Sequence, residues 1–212
     1  MIRTALAPFA ALLLLLAACS NPEKTGRYLV DPPTAARELP NRLGTAELRD
    51  VSLPEYAAHD EIAWQTPDGA VRSNPRNIWA DNPQRAFTLV LARSISELSG
   101  ATVIAEPWPL MTVPDRKIDV RVERALAQAN GTYRLAGSYY VSDESGTAGG
   151  NHARSFDIVV PLQDQGPGAV ALAQSAAITQ LARQIATLGG PGSSFVTRRP
   201  AAIDPFDLPP LL

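Results

Sequence analysis

The chain has one cysteine in 212 residues, Cys19, and only two histidines, His59 and His152. A single thiol excludes an internal disulfide, so burial and hydrogen bonding alone must hold the fold. No basic run occurs. The 19 Lys and Arg residues face 21 Asp and Glu residues, for a formal net charge of -2, and the electrostatic footprint of a nucleic-acid binder is missing. No apolar run reaches the roughly 18 residues that a membrane-spanning helix needs. Also missing are the Gly-x-Ser-x-Gly elbow, the phosphate loop, the dinucleotide fingerprint and the His-Glu-x-x-His zinc motif. What remains is 45% hydrophobic residues, 19% charged residues and 19 prolines. That composition suits one globular domain with proline-rich appendages.

The longest apolar run, "ALAPFAALLLLLAA", covers residues 5–18 and follows Arg3. Its length fits the h-region of a secretory leader, about 7–15 residues. It ends in Leu16-Ala17-Ala18-Cys19, which resembles the lipobox of bacterial lipoproteins, where a diacylglycerol is attached to the cysteine and cleavage follows just before it. The two alanines let the backbone enter a protease site, and the thiol is the soft nucleophile for lipid transfer. Residues 1–18 are therefore expected to be a signal peptide, Cys19 the lipid attachment site, and 19–27 a short polar tether. The alternative is an ordinary leader with a chance cysteine near the cut. Cleavage removes Arg3 and leaves 18 basic residues against 21 acidic ones. In lipoproteins of this kind a residue other than Asp after the cysteine, here Ser20, implies sorting to the outer membrane.

The mature chain is expected to fold over residues 28–188. "YLVD" (28–31) reads as an edge strand, "ELRDVSLPEY" (47–56) as a strand stopped by Pro54, and "EIAWQTPDGAVRS" (61–73) as a hairpin turned by Pro67-Asp68-Gly69. Residues 82–100 predict a helix with Asn82 as cap, Pro83 at its first position, Gly100 at its end, and a stripe of Phe87, Val90, Leu91, Ile95 and Leu98. "ATVIAEPW" (101–108) reads as a short strand. "KIDVRVERA" (117–125) alternates cleanly, Asn130-Gly131 signals a hairpin, and "TYRLAGSYYV" (132–141) and "RSFDIVVP" (154–161) complete an antiparallel meander. Between the last two lies a Gly/Ser loop of about 12 residues. A second helix is expected over about 169–188, ended by Gly189-Gly190-Pro191. Residues 189–212 have no period and many prolines, and read as a mobile tail. The simplest burial of these elements is an α+β two-layer sandwich: a mixed, mostly antiparallel sheet with both helices on one face.

Candidate chemistry is sparse. "HDE" at 59–61 groups three polar side chains, but neighbours on a strand point to opposite faces and do not converge on a metal. His152 falls in the Gly/Ser loop. No catalytic residue, metal ligand or cofactor site is expected. Core packing accounts for most aromatics, including Trp64, Trp79 and Trp108. Tyr140 is the exception, because its neighbours on one strand face are Arg134, Ala136 and Ser138, and an exposed tyrosine there is a candidate interface anchor.

The order of segments resembles the ABC-type transport auxiliary lipoproteins, the PqiC-like family. The likeness rests on Cys19 followed by "RYLV" (27–30), "VSLPEYAAHDEIAW" (51–64), "IWADNPQRAFTLVLARSISEL" (78–98), "EPWPL" (106–110) before the alternating strand, and the Ala-rich "AQSAAITQLARQIA" (173–186). It spans about residues 16–188. The tail has no counterpart, and "RALAQ" stands where the family often has Phe. The resemblance implies a non-enzymatic outer-membrane lipoprotein facing the periplasm. Its partners would be an MCE-domain periplasmic protein and an ABC permease and ATPase that move phospholipid or a similar hydrophobic substrate, with a homo-oligomeric ring as a further implication. Two alternatives stay open: a structural envelope lipoprotein without a transport role, and a periplasmic hydrolase with a hidden site around His59 or His152.

Overall fold

The structure, a computed structural model, describes residues 24–146 and 150–195. The chain runs β1 (Gly26–Tyr28), β2 (Thr45–Leu48), α1 (Glu55–Ala58), β3 (Glu61–Gln65), β4 (Val71–Trp79), α2 (Pro83–Ser99), β5 (Thr102–Ala105), β6 (Arg116–Ala127), β7 (Thr132–Asp143), β8 (Asn151–Pro161), α3 (Pro167–Thr187) and β9 (Gly192–Phe195). It is the expected α+β sandwich, with a mixed, mostly antiparallel, open sheet and two long helices packed together against it.

The helix signals are realised side chain by side chain. Asn82 accepts a hydrogen bond from the Arg85 backbone N–H at 3.0 Å, and Pro83 occupies a position whose N–H would have no partner. Gly100 closes α2 at φ 71°, its N–H donating to the Ser96 carbonyl. Phe87, Leu91, Ile95 and Leu98 are fully buried. In α3, Leu188 rather than Gly189 takes the left-handed position, with φ 56°.

The long hairpin β6–β7–β8 is the centre of the sheet. Ile118 and Val120 of β6, Tyr133, Leu135, Tyr139 and Val141 of β7, and Phe156 and Ile158 of β8 face the helices and are buried. The alternation in β6 is interrupted, however. Val122 pairs with Gly137 and Arg124 with Ala136, so Glu123 is an extra residue. Side chains invert beyond this bulge: Ile118, Val120 and Val122 face the core before it, and Ala125 and Ala127 after it. On its other edge β6 is shared. Its start pairs in parallel with β2, Arg121 bridges to Ser52, and Ala127 pairs with Trp64 of β3. The sheet therefore forks into a β2–β5 branch and a β3–β4–β1 branch.

Several boundaries differ from the sequence reading. The strand expected over 47–56 is interrupted after Leu48 and meets β6 again only at Ser52, because two backbone donors between them turn to side chains. Asp50 N–H donates to Glu106 (2.8 Å) and Val51 N–H to the Thr88 hydroxyl (3.0 Å). The four-residue α1 follows Pro54. The first strand lies two residues earlier than expected, since Val30 turns into the core and Asp31 N–H bonds Ser175. The Gly/Ser loop is shorter than expected, because β7 runs to Asp143 and β8 starts at Asn151. The expectation of a tail without regular structure from residue 189 fails for β9, which pairs with Asn151–Arg154 of β8. Arg154 fixes it, donating to the Ser193 carbonyl and to the Ser194 hydroxyl.

Asp115 ties the start of β6 to β2 across 70 residues of sequence. Its carboxylate accepts from Thr45 N–H and Oγ1, both at 2.9 Å, and Thr45 Oγ1 accepts in turn from Asp115 N–H. The Thr45 backbone and hydroxyl donors hold the Asp115 pKa below the ordinary carboxylate value. A depressed carboxylate contributes stability above its unfolded pKa, about 3.9, and loses it as pH falls through the lower folded value. Asp115→Asn is therefore expected to lower the urea midpoint at pH 7 and to differ progressively less from the parent below about pH 4. Parallel urea titrations at both pH values check this, and a pH-independent gap would refute the ionic origin.

Candidate functional site

Cys19 lies outside the described residues. The sequence-identified groups that the structure places do not converge. His59 caps the short α1, two-thirds exposed, with Nε2 3.5 Å from Glu55 Oε1. It lines an open cleft of about 520 Å³ with Tyr56, Asp60, Glu61, Arg72 and Ser73. Most polar groups of this cleft have partners, and Arg72 finds Asp68 just outside it at 3.1 Å. The Ser73 hydroxyl donates to the Glu61 carboxylate, and Tyr56 OH accepts from Ala125 N–H at 3.2 Å. Among the described residues no group of three or more His, Cys, Asp or Glu side chains is placed to hold a metal.

His152 is in β8, not in a loop, and sits opposite Val141 and Ser194. Its Nδ1 lies 2.9 Å from Ser194 Oγ. Burial first, then the charges of Arg116 and Arg154, hold its pKa below the ordinary histidine value. The imidazole is therefore neutral at pH 7, and β6 and β7 stand between its strand and β3, the strand that follows His59.

Tyr140 lies where the alternation placed it, on the sheet face opposite the helices and 40% exposed. It stands between Asp119 of β6 and Ala153 of β8. One side of the ring is covered, with the Arg121 guanidinium 5.1 Å from its centroid. Arg121 in turn is held by both carboxylate oxygens of Asp119, at 3.2 Å each, and Asp119 also receives Arg49 at 3.5 Å. Across the same face Arg134 and Asp157 form a two-pronged pair. This surface is a solvated lattice of satisfied charges with one aromatic set into it. Such exposed pairs contribute little to stability, but they hold Arg121 against Tyr140, whose ring stays partly exposed.

Trp79 packs into the core and Trp64 is half-buried against it. Trp64, Gln165 and Val170 line two adjoining recesses of about 150 and 220 Å³. Each is below the roughly 300 Å³ at which small-molecule pockets begin. Deep in the sandwich, Tyr133 OH donates to Gln174 Oε1 at 3.1 Å, and Tyr139 OH donates to the Gly189 carbonyl. Burial pushes the Tyr139 phenol up to about 12 and moves that of Tyr133 upward as well. These two tyrosines are hydrogen-bonded struts between sheet and helix.

Sequence reasoning missed one surface. Three large apolar residues within four positions, Leu110, Met111 and Val113, are exposed in the connection from β5 to β6. The uncharged run "PWPLMTVP" (107–114) was the available signal, but only the tertiary structure shows that it faces outward.

The family described as ABC-type transport auxiliary lipoprotein component matches residues 28–186. No curated protein matches the sequence. Among solved structures, the fold is similar to that of an uncharacterised protein with 19% identity, covering 72% of this chain and 95% of that one, at a TM-score of 0.59. It is also similar to protein XCC0632 from Xanthomonas campestris, with 16% identity, coverage of 74% and 92%, and a TM-score of 0.59.

Proposed function

The chain belongs to the ABC-type transport auxiliary lipoprotein family, and from that membership we propose that it is the outer-membrane docking or scaffold subunit of an MCE-type lipid transport system. The observation that carries this reading is the extent of the family match. It runs from the end of β1 almost to the end of α3 and begins nine residues after Cys19, which supports a domain hung on a short lipidated tether. Ser20 supports outer-membrane sorting. On this reading the protein has no enzymatic activity. It holds a periplasmic MCE-domain protein near the membrane while an ABC permease and ATPase drive transfer of phospholipid or a similar substrate. Among the described residues no helix is long and apolar enough to cross a membrane, and attachment rests on the Cys19 lipid. The half-covered ring of Tyr140 is a candidate contact in this assembly, and a ring of several copies is a further possibility within the same reading.

Affinity purification of the full-length lipoprotein from detergent-solubilised membranes tests the assignment. The MCE-domain protein is expected to co-purify in stoichiometric amounts. Recovery of a folded, membrane-anchored chain with no transport component would refute it and favour a structural envelope role.

A further inference from the structure

The β5–β6 connection has fixed feet and an apolar crown. At one foot, Trp108 N–H donates to Glu47 Oε1 at 3.0 Å, and the indole N–H donates to the Thr112 carbonyl at 2.6 Å. At the other, Asp115 is locked to Thr45. Between them Leu110 is 50%, Met111 fully and Val113 73% exposed. Elsewhere Leu29 and Leu89 line a recess together with the buried Val30 and Trp79, and Val71 and Leu172 have no other exposed large apolar residue near them in sequence, which is ordinary for a protein surface. A cluster on a braced loop is not, since it forgoes burial that a less rigid loop would recover by folding inward.

Two observations decide what this crown meets. The first is its position. It lies at the start of β6, whose twelve residues extend about 36 Å. The described chain enters near the opposite end: β1 pairs with Asn77–Trp79 of β4, Ile78 lies beside Glu61 of β3, and β3 reaches Ala127 at the end of β6. The seven residues from Cys19 to Gly26 span at most about 25 Å. The crown is thus at the pole away from the tether. The second is charge. Lys117 at the rim pairs with Glu47 at 3.1 Å, and Arg49 with Asp119 at 3.5 Å and Glu106 at 3.9 Å. Apolar loops that enter bilayers are commonly flanked by cations left free for anionic lipid, and these cations are taken.

We propose that Leu110, Met111 and Val113 form a plug that docks into an apolar, uncharged socket on a periplasmic protein. On the transport reading above, on which this partner rests, that protein is the MCE-domain component. Met111 suits the centre of such a contact, because its unbranched thioether adapts to the shape it meets, and a few desolvated side chains carry most of the energy of an interface.

The test uses the full-length lipoprotein. Leu110→Asp combined with Met111→Asp is expected to weaken binding of the purified MCE-domain protein at least tenfold. Thermal unfolding and outer-membrane fractionation should stay at parental values. A photo-crosslinking residue in place of Met111 should capture that protein, and one in place of Leu172 should not. Parental affinity in the double variant, or crosslinking of position 111 to lipid or to nothing, overturns the plug whatever the parent recovers. If the parent recovers no MCE-domain protein, but position 111 captures another periplasmic protein whose purified form loses at least tenfold affinity for the double variant, the transport assignment fails and the plug stands.

Discussion

Gly137→Ala is expected to destabilise the domain by about 3 kcal/mol, the upper end of the range for forcing extra volume into a packed site. A Cβ at this position would lie 2.1 Å from the Arg121 carbonyl oxygen and 3.0 Å from both the Val122 Cα and the Phe156 ring. Two of these neighbours are backbone and cannot rotate away. The close approach follows from the β6 bulge, where two residues oppose one and the strands draw together beside Gly137. Phe156 fills the space that a side chain would otherwise take. For a domain of this size 3 kcal/mol corresponds to a fall in melting temperature of roughly 10 °C. Gly131→Ala is the control. Unlike Gly137 it has a positive φ, 79°, and nothing lies within 4 Å of its added Cβ, so only the backbone strain of about 1 kcal/mol applies. Thermal unfolding of the two variants side by side checks the account, and equal losses would mean that crowding at the bulge is not the cause.

Gly137 also marks the boundary of what the sequence discloses. Short-range chemistry was legible. Asn82, Pro83 and Gly100 bound α2 because each acts on backbone groups within four residues, and Asn130-Gly131 turns the β6–β7 hairpin for the same reason. The alternation in β6, β7 and β8 identified the buried face, and it set Tyr140 on the open one. The bulge was not legible, since Glu123-Arg124 differs from a regular strand only in what lies across from it. β9 was hidden similarly: "GSSF" has no strand character of its own and all four residues are exposed, so its pairing depends on the free edge of β8 and on Arg154. His152 was misplaced because the local Gly and Ser residues suggest a loop, while its partners Val141 and Ser194 lie 11 and 42 residues away. The forked sheet rests on Asp115–Thr45, a contact across 70 residues that no local pattern encodes. The apolar crown failed to register for the opposite reason. Its composition was visible, but "PWPL" reads equally as strand end, core or surface until the position of β2 is known.

Cys19→Ser is expected to move the protein from the outer-membrane fraction to the soluble periplasmic fraction with no change in melting temperature. The oxygen nucleophile does not replace the thiol in lipid transfer, so the chain loses its acyl chains altogether. Each buried methylene contributes about 0.8 kcal/mol to membrane binding, and a single myristoyl chain already binds only marginally, so several chains are needed for a permanent anchor and none leaves the domain free. Stability should not respond, because the described core is assembled from residues between Val30 and Ala186. The experiment also bears on the crown. If the lipid is the sole attachment, the serine variant retains its affinity for the MCE-domain protein in solution, since Leu110, Met111 and Val113 sit about 30 Å along the sheet from the tether, and only its concentration at the membrane is lost. A serine variant that still fractionates with the outer membrane would mean that a protein surface holds it there. Combining it with Leu110→Asp and Met111→Asp would then identify whether that surface is the apolar loop.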